Sequence, residues 1–283
     1  MRIGFAGLGV MGGPMARHLI GAGHSVAGYN RSPEKARAWA EAHGGRFAAT
    51  AAEAAEGAEL FVLCVGNDDD VRRVAGEVLP ALGGGAVIVD HTTTSAKVAR
   101  EMAGVAAERG VAFIDAPVSG GQAGAENGQL SVMAGGDAEA LERVRPVLMS
   151  YSKAIQHMGP SGAGQLTKMV NQIAIAGVVQ GLAEAVHFAQ GAGLDTDAVY
   201  EAISKGAAQS WQMDNRWKTA ARGEFDFGFA VDWMRKDLGL VLDEARTNGT
   251  QLAITALVDQ FYAEVQAMGG SRWDTSSLKA RLK

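Results

Sequence analysis

Short apolar runs alternate with Ala-rich amphipathic stretches through the first part of the chain. Candidate strands are Arg2–Ala6, Ser25–Tyr29, Arg46–Ala48, Leu60–Val65, Ala86–Asp90, Ala112–Asp115, Gln129–Ala134 and Lys153–His157. They are short and apolar on consecutive positions, the mark of strands covered on both faces. The stretches between them carry helix starts: Ser32-Pro33 places a proline at the first helical position, and Thr50-x-x-Glu53 is a capping box. Strand–helix alternation predicts a doubly wound, mainly parallel α/β sheet of the Rossmann type. From Ser161 the strand signal stops and helical periodicity continues, punctuated at Gly191-Ala192-Gly193, Gly206, Gly223, Gly249 and Gly269-Gly270. The expectation is therefore an N-terminal sheet domain over residues 1–160 and an all-α domain over 161–283, joined by a long helix.

Bulk composition narrows the function classes. A chain of 283 residues, 47% apolar and 20% charged, with net charge −5, suits two globular domains and offers no basic footprint for nucleic acid. Its single cysteine, Cys64, sits in the run LFVLCV and reads as a small buried hydrophobe; no Cys/His cluster has metal spacing. The longest apolar stretch, Ala163–Ala189, contains Lys168, Asn171, Gln172, Gln180 and Glu184, which favours a buried helix over a membrane span. A cytoplasmic protein is expected.

Gly7-Leu8-Gly9-Val10-Met11-Gly12 is a G-x-G-x-x-G set between a strand and a helix. There glycines let backbone amides approach a pyrophosphate and the helix N-terminus supplies partial positive charge. About twenty residues on, an NAD site carries an acid for the ribose 2′-hydroxyl. This chain has Asn30-Arg31-Ser32 instead: no repulsion, a planar cation and a hydroxyl donor. NADP is preferred to NAD on that ground.

Further motifs fall in order along the chain. DAPVSGG spans 115–121, GPSGAGQLTKMVNQ spans 159–172, and KDLGL spans 236–240. With the opening glycine loop, these resemble the β-hydroxyacid dehydrogenase family, which includes 3-hydroxyisobutyrate dehydrogenase and the tartronate and glyoxylate/succinic semialdehyde reductases. The resemblance covers nearly the whole chain. It implies hydride transfer between NAD(P) and a small hydroxy acid or its semialdehyde, in a homodimer or homotetramer built through the helical domain.

The resemblance distributes roles residue by residue. Lys168, on an otherwise apolar helix, is the expected general acid/base, since a developing alkoxide needs a proton and positive charge. Asn171 shares its helix face at three residues' spacing, with Gln172 as the competing amide. Ser119, Gly120 and Gly121 form the expected carboxylate clamp, and Asp237 is placed on the substrate side, bridging toward Lys168. Val65, Thr93 and Lys236 are matched to cofactor contacts, whereas Gly66-Asn67-Asp68 departs from the family's usual pair. His91 reads as structural rather than as a base. Trp211, Gln212, Met213, Asn215 and Trp233, near Phe225, Phe227 and Phe229, read mostly as core or subunit contact with some pocket lining. Imine reduction and a non-catalytic NADP sensor are the competing readings. Lys168 and Asn171 argue against the first, though promiscuous imine reduction stays open, and Lys168 with the Ser-Gly-Gly clamp argues against the second.

Overall fold

A computed structural model describes all residues, 1–283. It contains nine strands: β1 (Arg2–Ala6), β2 (Ser25–Tyr29), β3 (Arg46–Phe47), β4 (Leu60–Leu63), β5 (Val87–Asp90), β6 (Ala112–Asp115), β7 (Val118–Ser119), β8 (Leu130–Gly135) and β9 (Ser152–Gly159). Helices in the same region are α1 (Gly12–Gly21), α2 (Pro33–His43), α3 (Ala51–Ala55), α4 (Asp68–Val78), α5 (Ala96–Ala107), α6 (Gly121–Glu126) and α7 (Ala138–Leu148). The sheet order is β3-β2-β1-β4-β5-β6-β8-β7, with β9 paired to β8. Strands β1 to β6 run parallel, in the order of a Rossmann sheet.

Alternation within single strands explains the two-sided cover. Leu60 and Val62 of β4 join a cluster with Met15, Leu19 and Trp39. Their neighbours Phe61 and Leu63 join the opposite cluster with Val71, Val74 and Met102. Successive side chains of a strand point to opposite faces, so an unbroken apolar run must be covered twice.

The structure revises several sequence-based boundaries. The strand expected to run to 65 ends at Leu63; the Cys64 N–H still reaches the Ala6 carbonyl of β1 (2.9 Å), but the Val65 N–H goes to the Thr92 hydroxyl (3.0 Å) rather than to a strand. The short β7 and the six-residue α6 were not expected, and β8 runs antiparallel to both β6 and β7. Asn67 caps α4, Ser95 caps α5, and Thr50 caps α3 as the capping box predicts. Ser32 precedes α2, with Pro33 first in the helix, but makes no side-chain capping bond.

The chain divides into two compact units, Met1–Lys168 and Met169–Lys283. The division falls inside the 29-residue helix α8 (Ala163–Gly191). The second unit continues with α9 (Thr196–Ile203), α10 (Trp211–Arg222), α11 (Val231–Asn248) and α12 (Ala253–Ala267), then a 3-10 turn over Thr275–Arg281. Its main core joins Ala176, Val179 and Ala183 to Val231, Met234, Leu238, Val258 and Tyr262. By length and composition α8 alone could cross a membrane; its buried amides Gln172 and Gln180 instead find side-chain partners within the protein.

Candidate active site

In the first unit, the glycine loop closes on itself at two positions and stays open at one. Gly7 has φ +99, and a Cβ there would lie 2.0 Å from the Cys64 carbonyl oxygen; one at Gly12 would lie 1.8 Å from the Gly7 oxygen. Both glycines are therefore demanded by the fold. Gly9 is different: a Cβ there meets no protein atom within 4 Å. Nothing in the protein requires glycine at that point, whereas the close approach of a pyrophosphate does, so the loop fits a dinucleotide. Leu8, between them, donates its N–H to Asn30 Oδ1 at 3.1 Å, and Asn30 Nδ2 reaches the Ser32 carbonyl at 3.3 Å. Asn30 thus does more than avoid a negative charge; it fastens the loop to the end of β2. Val10, Arg31 and Ser32 are exposed, and Met11 is half-buried.

The segment after β5 is tied down on every side. Thr92 N–H donates to Asp90 Oδ1 at 2.9 Å, and the Thr92 hydroxyl receives the Val65 N–H. Ser95 donates through N–H (2.9 Å) and hydroxyl (2.5 Å) to Asp68, so the departing Gly66-Asn67-Asp68 loop is fixed to the start of α5. Half-buried Val65 and Thr93, both expected near the cofactor, hang on this one network.

Lys168 ends this unit. It is 8% exposed, and its Nζ donates to the Val118 carbonyl at 2.9 Å. The ammonium is thereby seated one residue before Ser119, against the expected carboxylate clamp. Gly120 has φ +126 and Gly121 φ +60, both in the region that favours glycine, so the backbone turn after Ser119 is one few other residues would make.

Two buried polar side chains here escaped the sequence reading. Asp115, at the end of β6, accepts from the backbone N–H groups of Gly162 (2.7 Å) and Gln165 (3.0 Å), holding the first turn of α8. Burial pushes its carboxyl up to about 6 although those donors pull it down. Gln165 is fully buried and bonds to both Thr92 and Thr94. An acid ending an apolar strand and an amide inside an apolar helix were the available signals.

His91 is a structural residue in this geometry. Its Nδ1–H donates to the Ala116 carbonyl (2.6 Å), Nε2 accepts from the Tyr151 hydroxyl (2.8 Å), and burial lowers it to about 4. The neighbouring Asp90 is buried with Oδ2 unpartnered, and burial raises it to about 7. These two groups set opposite pH trends. The raised Asp90 contributes stability that is fully present below 3.8 and is lost as pH climbs through about 7. The depressed His91 contributes stability present above 6.5 and lost as pH falls toward 4. Above 6.5 the His91 contribution is nearly complete and Asp115, raised to about 6, is mostly ionised, so Asp90 dominates the remaining fall. Asp90→Asn keeps the acceptor for Thr92 and should flatten the fall in Tm between pH 6.5 and about 8 by a few degrees. Melting curves across that range check it; parallel curves for both proteins would contradict it.

In the second unit, Asn171 Nδ2 donates to Gln172 Oε1 (2.8 Å), and Gln172 Nε2 donates to Asp237 Oδ2 (2.7 Å). Lys236 pairs with Asp237 Oδ1 at 3.1 Å. The competing amides Asn171 and Gln172 are consecutive links of one chain that ends on the expected substrate-side carboxylate. The aromatic patch is only partly core. Met213 and Phe225 are buried, but Trp211 (57%), Trp233, Phe227 and Phe229 are exposed. Arg216 packs against the Trp211 and Phe227 rings while paired with buried Asp274.

Comparison with known proteins decides the family. Residues 2–159 match the NAD binding domain of 6-phosphogluconate dehydrogenase, and residues 162–282 match the NAD-binding domain of NADP-dependent 3-hydroxyisobutyrate dehydrogenase. The chain belongs to the β-hydroxyacid dehydrogenase family. An uncharacterized oxidoreductase of Shewanella frigidimarina is 61% identical over 100% of this chain and 98% of its own. The 2-(hydroxymethyl)glutarate dehydrogenase of Eubacterium barkeri is 36% identical, covering 98% and 93%. Among solved structures, 3-hydroxyisobutyrate dehydrogenase of Mycobacterium tuberculosis with L-serine superposes with TM-score 0.91 at 34% identity, covering 99% and 98%. The chain is accordingly an NAD(P)-dependent oxidoreductase of the hydroxyacid dehydrogenase type. Within this β-hydroxyacid dehydrogenase, the Lys168 amine and the Ser119-Gly120-Gly121 turn come together at the Val118 carbonyl in the first unit.

Proposed function

We propose that this protein transfers a hydride between NADP(H) and a small β-hydroxy acid or the corresponding semialdehyde, with Lys168 as general acid/base. The observation that carries the reading is the seat of Lys168: a nearly buried ammonium hydrogen-bonded at 2.9 Å to the strand that opens the Ser119-Gly120-Gly121 turn. Residues Gly7 to Gly12 would hold the pyrophosphate, Asn30, Arg31 and Ser32 the adenosine ribose and its 2′-phosphate, and Val65, Thr93 and Lys236 the nicotinamide side. When bound, the nicotinamide supplies or takes the hydride. The Ser119 hydroxyl and the backbone of Gly120 and Gly121 bind the substrate carboxylate. Lys168 stabilises the developing alkoxide and gives it a proton in reduction; in oxidation its neutral amine removes the hydroxyl proton. Asn171, one helical turn on, orients the reacting hydroxyl, and Asp237 holds the amide chain in place. Sheet residues 1–160 serve the cofactor and helical residues 161–283 serve substrate binding and assembly.

The related names support the substrate class. 3-Hydroxyisobutyrate, 2-(hydroxymethyl)glutarate and L-serine share a hydroxymethyl carbon attached to the carbon that bears a carboxylate. A clamp for the acid and a lysine for the alcohol match that spacing. Assembly as a homodimer or homotetramer, in the cytoplasm, is part of the same proposal; Val170, Val178 and Phe188 of α8 expose apolar surface suited to a subunit contact, Phe188 at 74%.

NADP preference has its own test. Exposed Arg31 and the hydroxyl of Ser32, which caps nothing, support a 2′-phosphate. Arg31→Ala should raise the KM for NADPH by about tenfold or more while leaving that for NADH within about twofold, the loss expected of one charge-assisted contact. Steady-state kinetics with both cofactors decide it. Equal effects on both would remove the phosphate role.

A further inference from the structure

We infer that Gln165 is a positioning residue that sets Lys168 against the Thr92–Thr94 segment, a role resting on the proposed hydride-transfer reading. The Gln165 amide brackets Thr93: Nε2 donates to the Thr92 carbonyl at 2.8 Å, and Oε1 accepts from the Thr94 N–H at 3.0 Å. Its direction is fixed by those partners, since a carbonyl oxygen only accepts and an N–H only donates. Only a neutral group with one donor and one acceptor at that reach satisfies both. An aliphatic side chain would leave two buried backbone groups unpaired, and an ionised carboxylate would face the Thr92 oxygen.

The grip is rigid at both ends. Gln165 is fully buried, and its own N–H is bound by Asp115, which also holds Gly162, so the first turn of α8 is anchored to the end of β6. On the loop side, the Thr92 hydroxyl receives the Val65 N–H and the Thr92 N–H goes to Asp90. Lys168 lies three residues after Gln165 on the same helix face. One amide therefore couples the backbone carrying two cofactor-side residues, Val65 and Thr93, to the helix carrying the proton donor. A misplacement of about 1 Å at such a junction costs on the order of a hundredfold in rate.

Single-turnover oxidation of NADPH by short aldehyde acids tests this with Gln165→Leu and Gln165→Glu, each alone and beside Lys168→Ala. Gln165→Leu should lower the rate at least tenfold in the wild-type background but by less than twofold once Lys168 is gone, because the two act as a unit. Equal losses in both backgrounds, or a Gln165→Leu enzyme with more than half the wild-type rate, would overturn the proposal. The conservative Gln165→Glu change should recover as pH falls, since a neutral carboxyl restores the donor–acceptor pair; a rate ratio to wild type that is flat with pH would overturn it. If Gln165→Leu does not fold, that pH series decides alone. An inactive Lys168→Ala beside a fully active Gln165→Leu would sink only the coupling, whereas a fully active Lys168→Ala would sink the reading beneath it.

Discussion

Replacing Lys168 by alanine should cut turnover about a thousandfold, the middle of the range for losing a positioned general acid/base. NADPH affinity should stay within about threefold, because the Lys168 amine donates to the Val118 carbonyl, at the start of the Ser119-Gly120-Gly121 turn proposed to bind the substrate carboxylate. Lys168→Arg separates the two duties of the side chain. A guanidinium keeps the positive charge but does not release its proton near neutral pH, so this variant should bind a carboxylate substrate and still fail in turnover. Steady-state kinetics beside fluorescence titration of NADPH read both quantities. A Lys168→Ala enzyme retaining more than about a tenth of wild-type turnover would remove the proton-transfer role.

The second large effect is expected at Gly9. Because a Cβ there meets no protein atom within 4 Å, Gly9→Val should melt within a degree or two of wild type. Yet in the proposed site the added side chain would stand where the pyrophosphate comes close to the backbone, so NADPH affinity should drop by about a hundredfold or more. Gly12→Ala makes the contrast. Its Cβ would lie 1.8 Å from the Gly7 oxygen, and it should lose stability before any question of binding arises. Calorimetric titration with thermal melts distinguishes the two. Unchanged NADPH binding by a folded Gly9→Val would show that the loop does not seat the phosphates.

Much of this architecture is legible in the chain because its causes are local. Apolar runs such as LFVL, covered on both faces, declare buried parallel strands, and the Thr50-x-x-Glu53 box declares the start of α3. The glycine loop is legible because strand, turn and helix occur in immediate succession. What escaped was non-local. Asp115 meets Gly162 and Gln165 across 47 and 50 positions, and Gln165 meets Thr92 across 73. No window of sequence contains both partners. Gly135 and Gly164 belong to the same arrangement: a Cβ at either would crowd the Asp115 carboxylate, at 2.7 and 2.9 Å. Each reads alone as an ordinary turn or helix glycine.

The antiparallel edge was hidden for a related reason. β7 is two residues long and pairs with β8 through Val118 and Ser119, too short for any period to register. The aromatic cluster is core only in part. Trp211 and Trp233 have the composition of core, but at their helical positions they face outward, while Trp217 and Tyr262 fill the interior.

Stopped-flow mixing of the wild-type enzyme and NADPH with a panel of short aldehyde acids tests the central claim most directly. Rapid NADPH oxidation by at least one carbonyl acid, slowed by deuterium at the transferred position, is the expected result. Tight NADPH binding with no oxidation by any carbonyl in the panel would contradict it and leave a cofactor-binding protein without the chemistry.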